Sequence, residues 1–180
     1  MKSVLAGVAA AALAFAVAST ALAALKAGDK APDFSAKGAL AGKDFDFNLA
    51  KALKKGPVVL YFFPAAYTAG CTAEAREFAE ATPEFEKLGA TVIGMTAGNV
   101  DRLKDFSKEH CRDKFAVAAA DKALIKAYDV ALAVKPDWSN RTSYVIAPNG
   151  KILLSHTDGN FMGHVQQTMG AVKAYKSAKK

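Results

Sequence analysis

Stretches of apolar residues with two different periodicities divide the chain into predicted strands and helices. Residues 58–63 form a continuous apolar run rich in β-branched and aromatic side chains, which is typical of a strand buried on both faces. Pro64 ends this strand, and apolar residues at helical spacing then predict an amphipathic helix over 72–88 that Gly89 ends. A second buried strand is predicted over 90–95. Glutamates occupy the predicted polar face of the helix: Glu74, Glu77, Glu80, Glu84 and Glu86.

The same periodicities and turn residues predict the other elements. In chain order they are a small hairpin around residues 34–47, a helix over 100–110 capped by Asn99, a strand over 115–119, a helix capped by Asp121 and ending near 128, a hairpin of strands 142–147 and 151–156, and a last helix over 163–177. Strands that alternate with helices and end in an antiparallel hairpin predict one α/β domain. Its central sheet is mixed, with helices on both faces and a small N-terminal β-hairpin.

Residues 1–23 have the pattern of a secretory signal peptide. A positive residue lies near the start, an apolar run covers 4–17, and the small-residue triplet Ala-Leu-Ala at 21–23 resembles a cleavage site. The apolar run is shorter than the roughly 20 residues of a transmembrane helix, although an uncleaved N-terminal anchor is the alternative. We therefore predict cleavage after Ala23 and a domain over 24–180. We expect the protein to be periplasmic or secreted, with no stable membrane association once it is processed.

Composition argues against several functional classes. Of the 180 residues, 52% are apolar and 23% are charged, as in a globular domain. Lys and Arg number 24 against 17 Asp and Glu, but the excess is spread along the chain without a basic run interleaved with aromatics, so nucleic-acid binding is not expected. Two cysteines are too few for a four-cysteine zinc site, and the three histidines lie on separate predicted elements. We therefore expect neither a metal nor another cofactor.

The candidate reactive group is Cys71. It lies between the buried strand and the amphipathic helix, in or just before the first helical turn. There the unpaired backbone N–H groups and the positive end of the helix dipole favour a thiolate, the nucleophilic form of cysteine. The Thr68 hydroxyl is placed to reach the sulfur or the group that it attacks, and Pro64 is placed to shape the loop and shield the sulfur from water. The small neighbours Ala69 and Gly70 leave the approach to the sulfur open.

Three segments together resemble the peroxiredoxins, the thiol-dependent peroxidases of the AhpC/TSA superfamily. Pro64, Thr68 and Cys71 match the active-site pattern Pro-x-x-x-Thr-x-x-Cys. Residues 28–34 resemble the N-terminal motif G-x-x-A-P-D-F, and the residues from Arg141 onward resemble the strand that bears the active-site arginine. The resemblance covers nearly all of the predicted mature chain and is greatest to the peroxiredoxin Q, or bacterioferritin comigratory protein, branch.

The resemblance implies a thioredoxin-like fold and a definite chemistry. The Cys71 thiolate would attack hydrogen peroxide or an organic hydroperoxide and become a sulfenic acid. Arg141, Thr68 and backbone N–H groups would stabilise the negative charge that moves across the breaking O–O bond. The resemblance also implies a thioredoxin-like or other thiol reductant as partner, and a monomer or weak homodimer.

Cys111 is the candidate resolving cysteine. Many members of the branch carry a second cysteine five residues after the first, where this chain has Arg76, and others carry it near the end of a later helix, the place of Cys111. Cys111 would attack the sulfenic sulfur and form an intramolecular disulfide, after local unwinding next to Cys71 or around Cys111. A static structural disulfide is the alternative. The neighbouring His110 is interpreted as a solvated helix-end residue, with assistance to the second thiolate as the alternative.

Two other functional classes are the alternatives. An exported thiol–disulfide oxidoreductase of thioredoxin-like fold needs Cys-x-x-Cys at the helix start, but neither residue three positions from Cys71 is a cysteine. A peroxide sensor shares the same cysteine oxidation and differs only in lacking turnover with a reductant.

Tyr67 and Trp138 are interpreted as packing, pocket-rim or interface residues, and Tyr67 and Phe63 as a candidate apolar wall for organic hydroperoxides.

Overall fold

The computed structural model describes residues 24–179, which form alternating strands and helices. The strands are β1 Ser35–Leu40, β2 Lys43–Asn48, β3 Val58–Phe62, β4 Thr91–Thr96, β5 Ala116–Ala119, β6 Ala131–Leu132, β7 Lys135–Ser139, β8 Thr142–Ile146 and β9 Ile152–Thr157. The helices are α1 Leu49–Leu53, α2 Ala69–Lys87, α3 Leu103–Glu109, α4 Lys122–Ala127 and α5 His164–Ser177, and a 3₁₀ turn over Val100–Arg102 precedes α3. The predicted signal peptide lies outside the described residues. Within those residues, no helix is long and apolar enough to cross a membrane.

The central sheet of the described chain has seven strands in the order β2-β1-β5-β4-β3-β8-β9. β3, β4 and β5 are parallel neighbours, whereas β1, β8 and β9 pair antiparallel, so the sheet is mixed as predicted. The predicted N-terminal hairpin is β1–β2, and it forms one edge of this sheet through the pairing of β1 with β5. β6 and β7 form a separate two-stranded sheet that was not predicted.

The sequence of β3 is a continuous apolar run because its two faces lie in two different cores. Val58, Leu60 and Phe62 pack in one core with side chains of α1 and α4. Val59 and Tyr61 point the other way, into a core with α2, α3 and α5. All five side chains are fully buried. Helices therefore cover both faces of the sheet, as predicted.

Two predicted helix starts agree with the structure to within one turn. α2 begins at Ala69, three residues before the predicted start, since Thr68 is the extended residue that immediately precedes it. Asp121 caps α4 as predicted, because its side chain accepts a hydrogen bond from Leu124 N at 2.7 Å. That bond satisfies one of the backbone donors that every helix leaves unpaired at its start.

Asn99 does not cap a helix over 100–110 as predicted. Its backbone is left-handed, with φ 58°, and its side chain makes no capping bond to the residues that follow. Instead its amide donates to Ala66 O at 2.7 Å, in the loop after β3. The chain therefore continues through the 3₁₀ turn, and the α-helix begins only at Leu103. Asn99 joins the end of β4 to the loop that leads into α2.

Candidate active site

Cys71 lies in the first turn of α2, at the carboxyl end of β3, and is 2% exposed. The loop that leads to it is bonded to the last residue of β4 and to the chain that follows that strand. Ala66 N donates to Gly98 O at 3.1 Å, and Thr96 Oγ1 donates to Pro64 O at 3.1 Å. These bonds fix the turn from strand to helix, and with it the position of the Cys71 sulfur.

Thr68 is the exposed residue immediately before α2. Its hydroxyl donates its one hydrogen to Ala65 O at 3.1 Å, and therefore does not donate to the Cys71 sulfur, although the spacing allows it. The lone pairs of the same oxygen are still able to accept a hydrogen bond, such as that of a hydroperoxide O–H. The first backbone N–H groups of α2 lack intrahelical acceptors.

Arg141 directly precedes β8, the antiparallel neighbour of β3, which brings it to the same end of the sheet as Cys71. The side chain is 8% exposed, and Nη2 lies 3.5 Å from Cys71 Sγ. Nη1 donates to Glu74 Oε2, and Nε donates to Gly159 O at 3.2 Å. Since a different group holds each of its three nitrogens, the guanidinium is fixed in one orientation beside the sulfur.

The position of Glu74 corrects the predicted polar face of α2. Glu74 is fully buried, one helical turn after Cys71, and forms an ion pair with Arg141. Burial raises the pKa of the Glu74 carboxyl, and the positive charge of Arg141 opposes that shift. Burial also disfavours the charge on Arg141, but Glu74 and Cys71 favour it more, so the pKa of Arg141 lies above its ordinary value. The signal for Glu74 was its spacing, because residues i and i+3 share one helix face.

Cys111 follows α3 and is fully buried in the same core as Cys71. Both thiols are free, so this structure shows the dithiol state. Burial raises the pKa of the Cys111 thiol far above its ordinary value, and the nearby Asp113 raises it further. Cys111 is therefore a neutral thiol in this conformation and becomes a nucleophile only when its surroundings open.

A cluster of side chains joins α3 to the loop before α2. Tyr67 OH donates to Glu109 Oε2 at 3.0 Å, and the Arg102 guanidinium lies 3.6 Å from the centre of the Tyr67 ring. His110 packs against the Tyr67 ring at 5.1 Å between centroids and accepts from Arg76 Nη2 at 3.4 Å. The His110 side chain is only 13% exposed, which corrects its interpretation as a solvated helix-end residue. Tyr67, Arg102, Glu109 and His110 are termed the clasp.

The two residues after Cys111 have unusual backbone conformations. Arg112 and Asp113 both adopt the left-handed region, with φ 50° and 58°. Residues other than glycine held in that region cost on the order of 1 kcal/mol or more each. Arg112 Nη1 also donates to Glu80 Oε1 on α2 at 3.1 Å. Contacts with neighbouring elements, and not local backbone preference, therefore hold this segment in place.

The aromatic residues do not form the predicted apolar wall. Phe63 is fully buried and stacks on Tyr61 at 5.4 Å between ring centroids, so it is a core residue and the expectation of substrate contact is wrong. Tyr67 belongs to the clasp. Trp138 is half-buried on β7, where Lys135 Nζ lies 3.3 Å from its ring centre.

Phe161 is an aromatic residue near the site that was not predicted. A Cβ placed on Gly70 would lie 3.8 Å from Phe161 Cδ1 and 3.3 Å from Arg141 Nη2. The absence of a side chain at Gly70 therefore lets the guanidinium approach the start of α2. No periodicity marks Phe161, because it lies in an irregular loop between β9 and α5.

Two buried polar side chains behind Arg141 were also missed. His164 is the first residue of α5, and its Nδ1 lies 2.8 Å from Ser143 Oγ on β8. The rings of His156 and His164 are 4.6 Å apart between centroids, although they belong to separate elements as predicted. Within residues 24–179, no group of three or more His, Cys, Asp or Glu side chains is arranged to hold a metal ion.

Comparisons of the sequence with known proteins find a family match. A profile of the AhpC/TSA family matches residues 27–155. Peroxiredoxin Bcp of Xanthomonas campestris is 28% identical over 124 residues, which is 66% of this chain and 77% of that protein. The chloroplastic Peroxiredoxin Q of Sedum lineare is 28% identical over 125 residues, which is 68% of this chain and 67% of that protein.

Solved structures show the same fold. The crystal structure of Peroxidoxin BcpB from Mycobacterium tuberculosis has a TM-score of 0.73 and 28% identity, and the match covers 83% of this chain and 97% of that one. A reduced 2-Cys peroxiredoxin of Plasmodium vivax, 21% identical, has a TM-score of 0.73 over 86% of this chain and 99% of its own. The expected thioredoxin-like fold is confirmed. The family profile covers most of the chain, and with this fold it shows that the protein belongs to the AhpC/TSA family, as a peroxidase of the Bcp and Q branch of the peroxiredoxins.

Proposed function

We propose that the protein reduces hydrogen peroxide or organic hydroperoxides by direct attack of the Cys71 sulfur. One observation carries this proposal: the Arg141 guanidinium lies 3.5 Å from Cys71 Sγ, with its other nitrogens held by Glu74 and Gly159. A cation that is fixed beside the sulfur before reaction stabilises negative charge as it passes from sulfur to oxygen, without reorganising.

The reaction moves two electrons. The Cys71 thiolate attacks the terminal oxygen of the hydroperoxide, and the S–O bond forms as the O–O bond breaks. The leaving oxygen carries the negative charge away, takes up a proton, and departs as water or as an alcohol. The sulfur is thereby oxidised to a sulfenic acid, and the peroxide is reduced by the same two electrons.

Three groups around the sulfur have separate tasks in that step. Arg141 Nη2 faces the developing oxyanion, and the unpaired backbone N–H groups at the start of α2 face it from the helix side. Each such preorganised donor contributes about 3–4 kcal/mol of transition-state stabilisation. The Thr68 oxygen, whose hydrogen is committed to Ala65 O, accepts the hydroperoxide O–H and so orients the substrate.

We propose that Cys111 resolves the sulfenic acid. Its thiolate attacks the Cys71 sulfur, the S–S bond forms, and hydroxide leaves and is protonated to water. A disulfide needs Cα atoms within about 7 Å, and both thiols are free and buried in this structure, so one segment must open. The seven residues of α3, followed by left-handed Arg112 and Asp113, resist opening less than the nineteen residues of α2. We therefore assign the movement to residues 109–113.

The cycle closes when a thiol reductant of thioredoxin type, or another thiol, attacks the disulfide and releases both cysteines. The Cys-x-x-Cys of a thiol–disulfide oxidoreductase would need a cysteine at position 74, but Glu74 is buried there on Arg141. The pattern of residues 1–23 supports export to the periplasm or beyond. N-terminal sequencing of the protein from its natural host tests this: a start at Ala24 is expected, and a retained Met1 contradicts cleavage.

A turnover assay tests the proposed function. Consumption of hydrogen peroxide is followed with dithiothreitol as reductant, for the wild type, Cys71→Ser and Cys111→Ser. The wild type is expected to consume many equivalents, and Cys71→Ser none above the uncatalysed rate. Equal rates for the wild type and Cys71→Ser would contradict the proposal. Insulin reduction by the dithiol protein is the second arm, and a measurable rate there would favour a thiol–disulfide oxidoreductase.

A further inference from the structure

A fully buried imidazole lies behind Arg141, and none of the steps above uses it. His164 Nε2 lies 3.2 Å from Asp158 O, and Nδ1 lies 2.8 Å from Ser143 Oγ. On the same side of the ring, Glu74 Oε1 is 3.8 Å from Nδ1. His164 thus contacts the carboxylate that pairs with Arg141 and the loop that follows β9.

The two partners of His164 determine its tautomer. A carbonyl oxygen only accepts hydrogen bonds, so Nε2 must carry the hydrogen that points to Asp158 O. Nδ1 then has a free lone pair, and the Ser143 hydroxyl donates to it. Burial lowers the pKa of His164 to about 4, which keeps the ring neutral at neutral pH and leaves a single N–H in this pocket.

The loop that His164 holds also holds Arg141. Asp158 N donates to Arg141 O at 3.2 Å, and Gly159 O accepts from Arg141 Nε at 3.2 Å. The loop is otherwise short of regular structure, and two side-chain turns close it: Asn160 N donates to Asp158 Oδ1 at 2.8 Å, and Met162 N donates to Asn160 Oδ1 at 3.1 Å. Displacement of Asp158 would therefore displace Gly159, the acceptor that sets the rotation of the guanidinium.

We propose that His164 is a positioning residue for the peroxidase reaction: its Nε2–H, set by the hydrogen bond from Ser143, anchors the 158–161 loop so that Gly159 aims Arg141 at the Cys71 sulfur. This inference rests on the proposed role of Arg141 in peroxide reduction. His164 touches neither sulfur nor peroxide, so its effect is confined to the orientation of the guanidinium. It should alter the rate of peroxide attack more than the accessibility of the thiol.

Two substitutions separate the hydrogen bond from the bulk of the ring. His164→Gln places an amide N–H near the position of Nε2, whereas the shorter side chain of His164→Asn places one near Nδ1 and loses the bond to Asp158. His156→Gln is the matched control, because His156 is also an imidazole and packs against the ring of His164. The buried Nε2 of His156 has no hydrogen-bond partner among the described residues, so this substitution breaks no bond from Nε2 to the loop. All variants carry Cys111→Ser so that a single thiol reacts.

Two rates are measured for each variant by quenched-flow mass spectrometry: oxidation of Cys71 by hydrogen peroxide and its alkylation by iodoacetamide. Alkylation depends on the thiol and on access, but not on charge developing along an O–O bond. We expect His164→Asn to slow oxidation about tenfold or more, the order of a weakened oxyanion donor, with alkylation within about twofold of the parent. His164→Gln should recover most of the oxidation rate, and His156→Gln should match the parent.

Three results would overturn the inference. They are an unchanged oxidation rate in His164→Asn, a parallel fall of oxidation and alkylation in both His164 variants, and a protonated Nδ1 in the ¹⁵N spectrum of wild-type His164 at pH 7. The spectrum needs no variant, so it applies even where a substitution prevents folding. Arg141→Lys separates the proposed role of Arg141 from the positioning role of His164. If Arg141→Lys leaves the rate of peroxide oxidation unchanged, the proposed role of Arg141 fails. If Arg141→Lys is oxidised slowly and His164→Asn at the normal rate, only the positioning role of His164 is refuted.

Discussion

Glu74→Gln removes the negative charge of Glu74 but keeps the shape of its side chain, and so tests the buried ion pair that orients Arg141. Glu74→Gln leaves the guanidinium, 8% exposed, without a counter-charge. Breaking a buried ion pair from one side costs about 3–5 kcal/mol, because the remaining charge stays desolvated. The glutamine oxygen still accepts from Nη1, so we expect the lower end, about 3 kcal/mol.

That loss is large enough to measure as a change in melting temperature. For a domain of about 150 residues or more, each kcal/mol shifts the midpoint by about 2–4 °C, so Glu74→Gln should melt about 6–12 °C below the wild type. Thermal unfolding followed by circular dichroism gives the shift. Oxidation of Cys71 by peroxide, measured on the same sample below the transition, should be about tenfold slower, because a neutral amide oxygen holds the guanidinium less firmly than a carboxylate does.

Glu84→Gln is the matched control on the same helix. Glu84 is 46% exposed and lies 3.7 Å from Lys87 Nζ and 3.9 Å from Lys173 Nζ. Exposed pairs contribute about 0–1 kcal/mol, so its midpoint should fall by less than about 4 °C. If Glu74→Gln melted within about 2 °C of Glu84→Gln and oxidised at the wild-type rate, the assignment of Glu74 as the counter-charge of Arg141 would be refuted.

Three further predictions follow from the geometry. Gly70→Ala places a Cβ 3.3 Å from a guanidinium nitrogen and should slow Cys71 oxidation about threefold to tenfold, whereas Gly170→Ala, with nothing within 4 Å, should not; equal rates would contradict the close approach. Tyr67→Phe removes one bond of the clasp and should speed disulfide closure after oxidation about twofold to fivefold, as timed by mass spectrometry, and an unchanged rate would show that the clasp does not limit opening. The pKa of His164 is about 4 in the folded state against 6.5 ordinarily, so the unfolded chain binds a proton first as pH falls. The contribution of the neutral His164 ring to the free energy of unfolding is present above pH 6.5 and is lost toward pH 4. Urea unfolding should therefore show the wild type losing about 2 kcal/mol more stability than His164→Gln between pH 7 and pH 5. Equal losses of stability would contradict this.

Local patterns predicted the elements that carry the catalytic cysteine. The apolar run of β3 and the helical spacing of α2 reflect burial on known faces, and Cys71 lies where these two elements meet. The short elements were missed because they lack a full period. α1 has five residues, and β6 has two. Such elements are determined by packing with distant parts of the chain, which periodicity does not report.

Glu74 shows the limit of periodicity inside the site. A polar residue on a helix is expected to face water, but Glu74 faces the buried Arg141, which lies just before β8 and far along the sequence. The same holds for His110, whose position at a helix end predicted solvation, although Tyr67 and Phe106 cover it. In both cases a tertiary contact overrides the local pattern, and only the fold brings the partners together.

The most direct measurement is the intact mass of the reduced protein after one equivalent of hydrogen peroxide, with quenching within seconds. If Cys71 attacks and Cys111 resolves within one chain, the monomer loses about two mass units, Cys71→Ser loses none, and Cys111→Ser gains about sixteen. A covalent dimer or a gain of sixteen in the wild type would remove Cys111 from its role. An unchanged mass with both thiols free would contradict peroxide reduction at Cys71.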